Sequence, residues 1–376
     1  MKKLKLLLFS FLVMSVFFLY PEVKNVDKPL NGEFHFQLSK IWETKKAGED
    51  SFARIRQILV AEDGAVYVYD KKNMRYYIFD KDGQFTGAFG RKGEGPGEIR
   101  RIIQAPMFLV DNKIIIQDSG RLHYFNSQGK FIKSVLNSNV RYLPSFFLNE
   151  NEFITAPRNL LAVNEDKGKI RRINLKTGQQ KVISEFLIFE GGTVQTGNNQ
   201  FGVVHVALTP MMIIGYHNNR LYFGKNDFYK ISITDMDGKV INAFSLKRER
   251  RQITDEVKKE RLFREAKGRA PKEVLEQLAK RMPNDLTYFS RIEVHNGFIY
   301  VFLSYYNQEN KQQIDIFSAG GNYLYRAYIK AQRADDIILN SIIKEEELYL
   351  ALENKDGEQS LAKFKIILPK NSALGY

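Results

Sequence analysis

Residues 65–89 read AVYVYDKKNMRYYIFDKDGQFTGAF, and this stretch decides the fold. Apolar and polar residues alternate over three short runs rich in Tyr, Phe, Ile and Val, with polar turns between them and an Asp-Gly pair in the second turn. Alternation with a period of two, interrupted by turns of this kind, predicts antiparallel strands joined as hairpins. A preceding apolar run, ILV at 58–60, adds a fourth strand. The unit is therefore expected to be a four-stranded antiparallel sheet.

The same unit recurs along the chain. A second copy, KIIIQDSGRLHYFNSQGKFIKSV at 113–135, places Gly129 46 residues after Gly83. Weaker copies follow at residues 160–183, 220–244, 298–329 and 347–368. Four-stranded units repeated every 40 to 50 residues or so are typical of β-propellers, whose blades pack face to face around a central channel. The six copies predict an all-β fold, a six-bladed β-propeller.

The last copy stops one strand early, and this predicts how the ring closes. The segment EFHFQLSKIWE at 33–43 has the pattern of a strand but no unit of its own. Pairing it with KFKIIL at 363–368 gives the sixth blade its outer strand and removes two exposed sheet edges. We therefore expect one propeller domain over residues 33–369, closed by an N-terminal strand.

A segment between the fourth and fifth units departs from the strand pattern. Thr254, followed by two acidic residues, is typical of a helix N-cap, and Pro271 precedes the amphipathic sequence EVLEQLAKRM. The pattern predicts a helical insertion at residues 247–285. Residues 247–281 carry 13 basic and 7 acidic side chains. Both a helical pair packed on the rim and a lid or partner-binding arm remain open.

The N-terminus has the layout of a secretory signal, with three lysines ahead of an apolar run from Leu6 to Tyr20. Export to the periplasm or the extracellular space is expected. The residues that follow the run offer no clear small-x-small cleavage site, so residues 1–22 are interpreted as either a signal peptide or an uncleaved anchor held in the membrane through residues 4–20. The chain has no cysteine, which excludes disulfides and a lipidated cysteine.

The chain carries 57 Lys and Arg against 43 Asp and Glu, a formal net charge of +14. Such an excess favours anionic partners. Because export separates the protein from intracellular nucleic acids, no nucleic-acid partner is expected. RNA binding stays open only if the N-terminal segment does not direct export.

Four segments carry the pattern of a known family: VYD at 68–70, IFDKDGQF at 78–85, AFGRKGEGPGEI at 88–99 and YFNSQGKF at 124–131. In these segments the chain resembles the NHL-repeat six-bladed propellers, in particular their exported bacterial members. The resemblance is specific over residues 60–135 and implies that GRKGEGPGEIRR at 90–101 connects the outer strand of one blade to the inner strand of the next.

This glycine-dense connection matches neither common phosphate-binding motif. It has no G-x-x-x-x-G-K followed by Ser or Thr, and a dinucleotide-binding fingerprint from Gly93 and Gly95 would need glycine where Glu98 stands. We interpret its glycines as conformational, because they allow a positive φ where the chain crosses between blades.

No catalytic residue, metal ligand or cofactor is predicted. The five histidines, His35, His123, His205, His217 and His295, show no metal-binding spacing, and no Ser-His-Asp motif is legible. The family that the chain resembles includes a zinc-dependent amidating lyase, but no motif transfers its ligands. Asp70 and Asp118 occupy equivalent places in two units, which favours a structural role in turns over catalysis.

Basic residues precede or open the inner strand of each unit, and this pattern predicts a binding site. They are Arg54, Arg56, Arg100, Arg101, Arg141, His205, Arg291 and Arg333. In a propeller these positions converge at one end of the channel, where guanidinium groups bind carboxylates and phosphates. We therefore expect an exported binding or scaffold protein that recognises a protein partner or an anionic ligand at the channel mouth. The alternative is a metal-dependent lyase or lactonase-type enzyme with its site in the channel.

Overall fold

In the computed structural model, the segments of alternating apolar and polar residues form the strands of a six-bladed ring. It describes residues 22–100, 106–118, 120–136, 144–156, 167–187, 193–197, 200–203, 210–266, 271–304 and 311–367. The expected signal sequence up to residue 21 and three of the predicted site residues, Arg101, Arg141 and His205, lie outside this part of the chain. The predicted all-β, six-bladed β-propeller with four-stranded antiparallel blades is confirmed.

Residues 22–44, which we call the N-terminal arm, contribute strands to three different blades. The arm contains β1 (Glu22–Val26), β2 (Glu33–His35) and β3 (Ser39–Thr44). A small hairpin of β4 (Lys46–Ala47) and β5 (Asp50–Ser51) leads into the first blade.

The first three blades follow in chain order. Blade 1 comprises β6 (Ile55–Val60), β7 (Val66–Asp70), β8 (Arg75–Phe79) and β9 (Phe85–Phe89). Blade 2 comprises β10 (Met107–Val110), β11 (Lys113–Asp118), β12 (Arg121–Asn126) and β13 (Phe131–Leu136). Blade 3 comprises β14 (Phe146–Asn149), β15 (Glu152–Thr155), β16 (Lys167–Asn174) and β17 (Gln180–Leu187), and is followed by a hairpin of β18 (Thr193–Gly197) and β19 (Gln200–Val203).

The last three blades enclose the helical insertion. Blade 4 comprises β20 (Met212–His217), β21 (Arg220–Lys225), β22 (Lys230–Asp235) and β23 (Val240–Lys247) and is followed by α1 (Asp255–Ala266) and α2 (Lys272–Arg281). Blade 5 comprises β24 (Phe289–His295), β25 (Phe298–Leu303), β26 (Lys311–Ser318) and β27 (Tyr323–Lys330). Blade 6 comprises β28 (Ile337–Lys344), β29 (Glu347–Glu353) and β30 (Gln359–Lys365), with β3 as its outer strand.

An N-terminal strand closes the ring as predicted, but it is shorter than expected. Strand β3 pairs antiparallel with β30, with Trp42 opposite Lys363. The prediction that residues 33–43 act as one closing strand was wrong for its first half, because β2 pairs in parallel with β27 of blade 5. The reason is packing: the ring of Phe34 contacts those of Phe36 and Tyr325 at the apolar interface between blades 5 and 6.

Each of the six interfaces between neighbouring blades contains an apolar cluster. Strand β7, from the stretch that decides the fold, shows how the alternation produces them. Val66 and Val68 pack in the cluster that contains Tyr349 of blade 6, whereas Tyr67 and Tyr69 pack in the cluster that contains Ile114 and Phe125 of blade 2. Because successive strand residues point to opposite faces, one sequence supplies both interfaces.

The helical insertion is also confirmed. Helix α1 begins directly after Thr254 and α2 directly after Pro271. Leu275 and Ala279 are buried on α2, which lies beside β18. Within the described ranges, no helix has the length and apolar character needed to cross a membrane.

Candidate functional site

Long connections are concentrated on one face of the ring. Because strand directions alternate within a blade, the connections after the second and fourth strands lie on one face, the upper face, and those after the first and third strands lie on the lower face. Lower-face connections contain two to five residues. Upper-face connections include residues 90–106, the segment 188–211 with its hairpin, and the helical insertion within residues 248–288. Elaborated loops on a rigid scaffold are where binding residues concentrate.

The described arginines of the predicted ring belong to this upper face. Arg54 directly precedes β6, and Arg56 is the second residue of that strand. Arg291 is the third residue of β24, while Arg100 and Arg333 lie in the connections that lead to β10 and β28. The entries to the inner strands thus place basic residues of blades 1, 2, 5 and 6 on the upper face, although Arg333 reaches outward to Glu43 on the outer strand β3.

Two of these arginines flank one inner strand. Arg291 Nη2 donates to Ser341 Oγ on β28 at 2.9 Å, and its Nη1 donates to the Ser341 carbonyl. On the other side of β28, Asn340 Nδ2 donates to the carbonyl of Arg56 at 3.5 Å. Side-chain bonds to backbone groups therefore join the inner strands of blades 5, 6 and 1.

The Arg291 guanidinium is held inside the channel wall. It lies 3.7 Å from the centroid of the Phe302 ring, and its Nε is 3.2 Å from Glu293 Oε1. Burial lowers the pKa of Arg291 and raises the pKa of Glu293. The side chain of Arg291 is 29% exposed, so most of it is unavailable for contact with a ligand.

The remaining arginines differ in how far carboxylates neutralise them. Arg333 pairs with Asp336 at 2.7 Å and with Glu43 at 2.6 Å. Arg100 has a looser pair with Glu94 at 3.4 Å, and both side chains are at least half exposed. No ion pair joins Arg54 to another residue of the described ranges. Arg54 and Arg100 are therefore better placed than Arg333 to bind an added anion.

Asp70 and Asp118 fix the backbone from which Arg54 and Arg100 project. Both carboxylates are buried at the ends of the second strands of their blades. Asp70 accepts from the amides of Ala53 at 2.7 Å and Arg54 at 3.1 Å, and Asp118 accepts from the amide of Arg100 at 2.6 Å. These bonds agree with the structural role expected from their equivalent places in the repeat.

The glycine-dense connection between blades 1 and 2 folds around Glu98. The Glu98 carboxylate accepts from the Gly95 amide at 2.9 Å and from Arg91 Nε at 2.7 Å. A Cβ on Gly93 would lie 2.0 Å from Glu98 Oε2, and Gly97 has a φ of +76°. A carboxylate of the protein therefore occupies the position that a bound anion would need, in agreement with the conformational role of these glycines.

One constellation was not legible in the sequence. Ser134 Oγ lies 2.8 Å from His123 Nδ1, and His123 Nε2 lies 3.7 Å from Asp118 Oδ2. Burial lowers the pKa of His123, so the ring is neutral at pH 7 and its Nδ1 can accept the serine proton. The three residues come from three strands with irregular spacing. Only the register of His123 opposite Ser134 brings them together.

Among the residues that the structure describes, no three His, Asp or Glu side chains are grouped so that they could hold a metal ion. The metal-dependent alternative therefore has no candidate ligand set in that part of the chain.

Comparisons with known proteins agree on the fold. The model of a family described as a 6-bladed beta-propeller matches residues 43–154. No curated protein matches the sequence. A solved structure of a protein described as exported, from Bacteroides fragilis, is 14% identical, with a TM-score of 0.55 over 93% of this chain and 100% of that chain. A member of the DUF4221 family from Bacteroides vulgatus is 13% identical, with a TM-score of 0.53 over 89% of this chain and 99% of that chain. The NHL-repeat assignment stays a prediction.

Proposed function

We propose that the protein is an exported binding propeller that recognises an anionic ligand, or an anionic patch on a protein partner, on the upper face at the channel mouth. The observation that carries this proposal is the coincidence of two features on one face: the long connections and the described arginines of the inner-strand entries. Export is supported by the lysine-led apolar run at the N-terminus and by the similarity to a protein described as exported.

The chemistry of the site favours carboxylate or phosphate groups. A guanidinium presents several N–H donors in a planar fork that matches both groups. Asp70 and Asp118 hold the backbone amides of Arg54 and Arg100, so part of the ordering that binding requires is already present in the free protein. Arg56 lies on β6, the inner strand that Arg54 directly precedes, and would extend the basic surface into the channel.

Calorimetric titration tests the proposal with polyglutamate, uronic-acid oligosaccharides and pyrophosphate as probes. We expect one class of probe to bind and the variant with Arg54→Ala, Arg56→Ala and Arg100→Ala to lose that binding. Arg220→Ala is the matched control, because Arg220 is an exposed arginine on the lower face. Binding that the triple variant retains, or that Arg220→Ala also removes, would contradict this site, as would a failure of all probes together with an empty pull-down from envelope extract.

Acyl transfer is a second candidate function, favoured only by the Ser134, His123 and Asp118 constellation. Ser134 is exposed, and its hydroxyl is within hydrogen-bond distance of a neutral imidazole. A fluorophosphonate probe should label Ser134 in the folded wild type and should fail to label Ser134→Ala and His123→Asn. Absence of labelling in the wild type would leave this group with the role of joining β12 to β13. Metal analysis of the purified protein tests the lyase or lactonase alternative.

A further inference from the structure

The N-terminal arm has two chemically different faces. Val23 packs against the apolar cluster between blades 4 and 5, and Asn25 Nδ2 donates to the carbonyls of Ser245 at 3.1 Å and Gly321 at 2.9 Å. Lys24 and Val26, which alternate with them along β1, are exposed, as are Lys28 and Leu30 in the turns that follow β1; we call these four residues the outward face. Val26 is 65% exposed and Leu30 is 71% exposed.

The outward face is held as part of the folded ring. Asp27 pairs with Arg248 at 2.6 Å and also with Arg326, while Glu22 pairs with Lys230 at 2.6 Å. The amide of Leu30 donates to the carbonyl of Tyr323 at 3.0 Å. These contacts fix the arm at the outer edges of blades 4 and 5, so the exposure of its apolar residues is a property of the fold and not of a loose tail.

Few other apolar side chains of the described ranges are strongly exposed. Within the described ranges, the apolar side chains more than 60% exposed are Val26, Leu30, Leu136, Phe228 and Ile367. Leu136 and Ile367 directly precede residues outside those ranges. The other three belong to the arm or to blade 4, the blade whose edge the arm covers. Exposed apolar groups concentrated in one region, next to lysines, mark a contact surface.

The sequence just before the arm indicates what covers that surface. The apolar run ends at Tyr20, and β1 begins at Glu22. Two residues span at most about 7 Å, so a membrane that retains the apolar run must lie beside the outer edge of blade 4. Lysines next to apolar side chains suit the interface of an anionic bilayer, because lysine binds lipid phosphates and apolar groups enter the headgroup region.

We propose that the outward face of the arm rests on an anionic membrane surface, continuous with an apolar N-terminal run that is retained after export. The rims of blades 4 and 5 then face the lipid, and the upper face with its arginines opens sideways. This proposal rests on export and on retention of residues 1–21, and it is independent of ligand binding at the channel mouth.

The absence of cysteine from the chain makes a labelling test direct. Val26→Cys and Leu30→Cys, in the full chain reconstituted into phosphatidylglycerol and phosphatidylethanolamine vesicles, are labelled with bimane and quenched by doxyl lipids. Phe85→Cys and Ile132→Cys are the matched controls, because both side chains are partly exposed on outer strands of blades 1 and 2, at 40% and 45%. We expect several-fold stronger quenching at positions 26 and 30 than at positions 85 and 132.

A charge reversal separates surface contact from simple tethering. Lys24→Glu with Lys28→Glu should weaken contact with the anionic surface by about fivefold per lysine and so reduce quenching at position 30, although the apolar run still holds the chain. The matched control, Lys72→Glu with Lys130→Glu on blades 1 and 2, should leave the quenching at position 30 unchanged. Equal quenching at all four labelled positions would overturn the proposal, as would N-terminal sequencing that shows the exported chain cut before Glu22. Calorimetry with the anionic probes remains a separate measurement, so the failure of either proposal can be told from the failure of the other.

Discussion

Arg248 Nη1 lies 2.6 Å from Asp315 Oδ2, in an ion pair buried where blades 4 and 5 meet. The Asp315 carboxylate is fully buried and also accepts from the hydroxyls of Tyr229 at 2.6 Å and Tyr323 at 2.8 Å. Burial opposes the charge on Arg248, but Asp315, Asp27 and Tyr229 together outweigh it and raise the pKa of the guanidinium. Since Arg248 directly follows β23 and also pairs with Asp27, one guanidinium joins the base of the helical insertion to the arm and to blade 5.

Replacing Asp315 should therefore destabilise the protein strongly. Asp315→Ala leaves the Arg248 charge without its buried partner, and removal of one member of a buried pair typically costs about 3–5 kcal/mol. Urea unfolding followed by circular dichroism should show a loss of that size in the free energy of unfolding. Asp237→Ala is the control, because Asp237 also pairs with a cation, Lys181, but has a side chain that is 74% exposed. The unfolding midpoint of this variant should equal that of the wild type. A midpoint for Asp315→Ala close to that of the wild type would contradict the assigned role.

His295 should make the fold sensitive to acid. Its ring stacks on Tyr300 with centroids 4.2 Å apart, and burial, with a smaller contribution from His217, lowers its pKa to about 4. The unfolded chain takes up this proton near pH 6.5, before the folded protein does, so stability is complete above pH 6.5 and falls as the pH drops towards 4. The loss is about 3 kcal/mol.

His295→Phe keeps an aromatic ring against Tyr300 but cannot take up a proton. The difference in unfolding free energy between wild type and variant should therefore change by about 3 kcal/mol between pH 7 and pH 4. Chemical denaturation at a series of pH values measures it. Parallel profiles for the two proteins would show that His295 does not titrate as its burial implies.

The fluorescence of Trp42, the single tryptophan of the chain, reports on ring closure. Trp42 Nε1 donates to the Lys81 carbonyl of blade 1 at 3.0 Å, and a Cβ on Gly83 would lie 2.5 Å from the indole. Gly83→Ala should shift the tryptophan emission and destabilise the protein by more than the backbone cost of about 1–2 kcal/mol for alanine at a positive φ. Gly357→Ala isolates that backbone cost, because Gly357 has a φ of +79° and no atom within 4 Å of an added Cβ. Equal losses and unchanged emission in the two variants would contradict the close packing of Trp42 on Gly83.

Asp70→Ala tests whether the repeated aspartates support the arginines. Asp70 accepts from four backbone amides, those of Ala53, Arg54, Lys72 and Asn73. Its removal should cost about 3 kcal/mol of unfolding free energy, because buried amides lose a charged acceptor. Asp82→Ala, at an exposed turn of the same blade, should be neutral. If the Asp70 variant unfolds like the wild type, water must replace the carboxylate at these amides.

The fold was predictable because it follows from local alternation repeated along the chain. Strand β7 has apolar residues on both faces, which already indicates a strand buried between two neighbours. The closing strand was also predictable, because the sixth unit lacks one strand. By contrast, β1 is only five residues long, and its partner lies more than 200 residues away in parallel register, with Glu22 opposite Ala243. No local pattern identifies such a pairing.

The places of the candidate arginines in the repeat were predictable, and their electrostatics were not. Arg54 and Arg100 were found because inner-strand entries recur at equivalent places in each repeat. Whether an arginine is neutralised depends on contacts through space: Arg333 meets Glu43 only because the arm closes blade 6. The Ser134 and His123 contact likewise depends on strand register, which the sequence does not specify to one residue.

The position of β3 also constrains when the ring can form. This strand lies at the N-terminal end of the chain and pairs with β30, the last strand of the final blade. During synthesis from the N-terminus, β3 is made early, but its partner is made only after almost all of the remaining chain. Closure therefore waits for the last blade, and a prematurely ended chain keeps unpaired edges that expose it to aggregation and proteolysis. The pairing of β3 with β30 can therefore form only in a chain that includes the last blade.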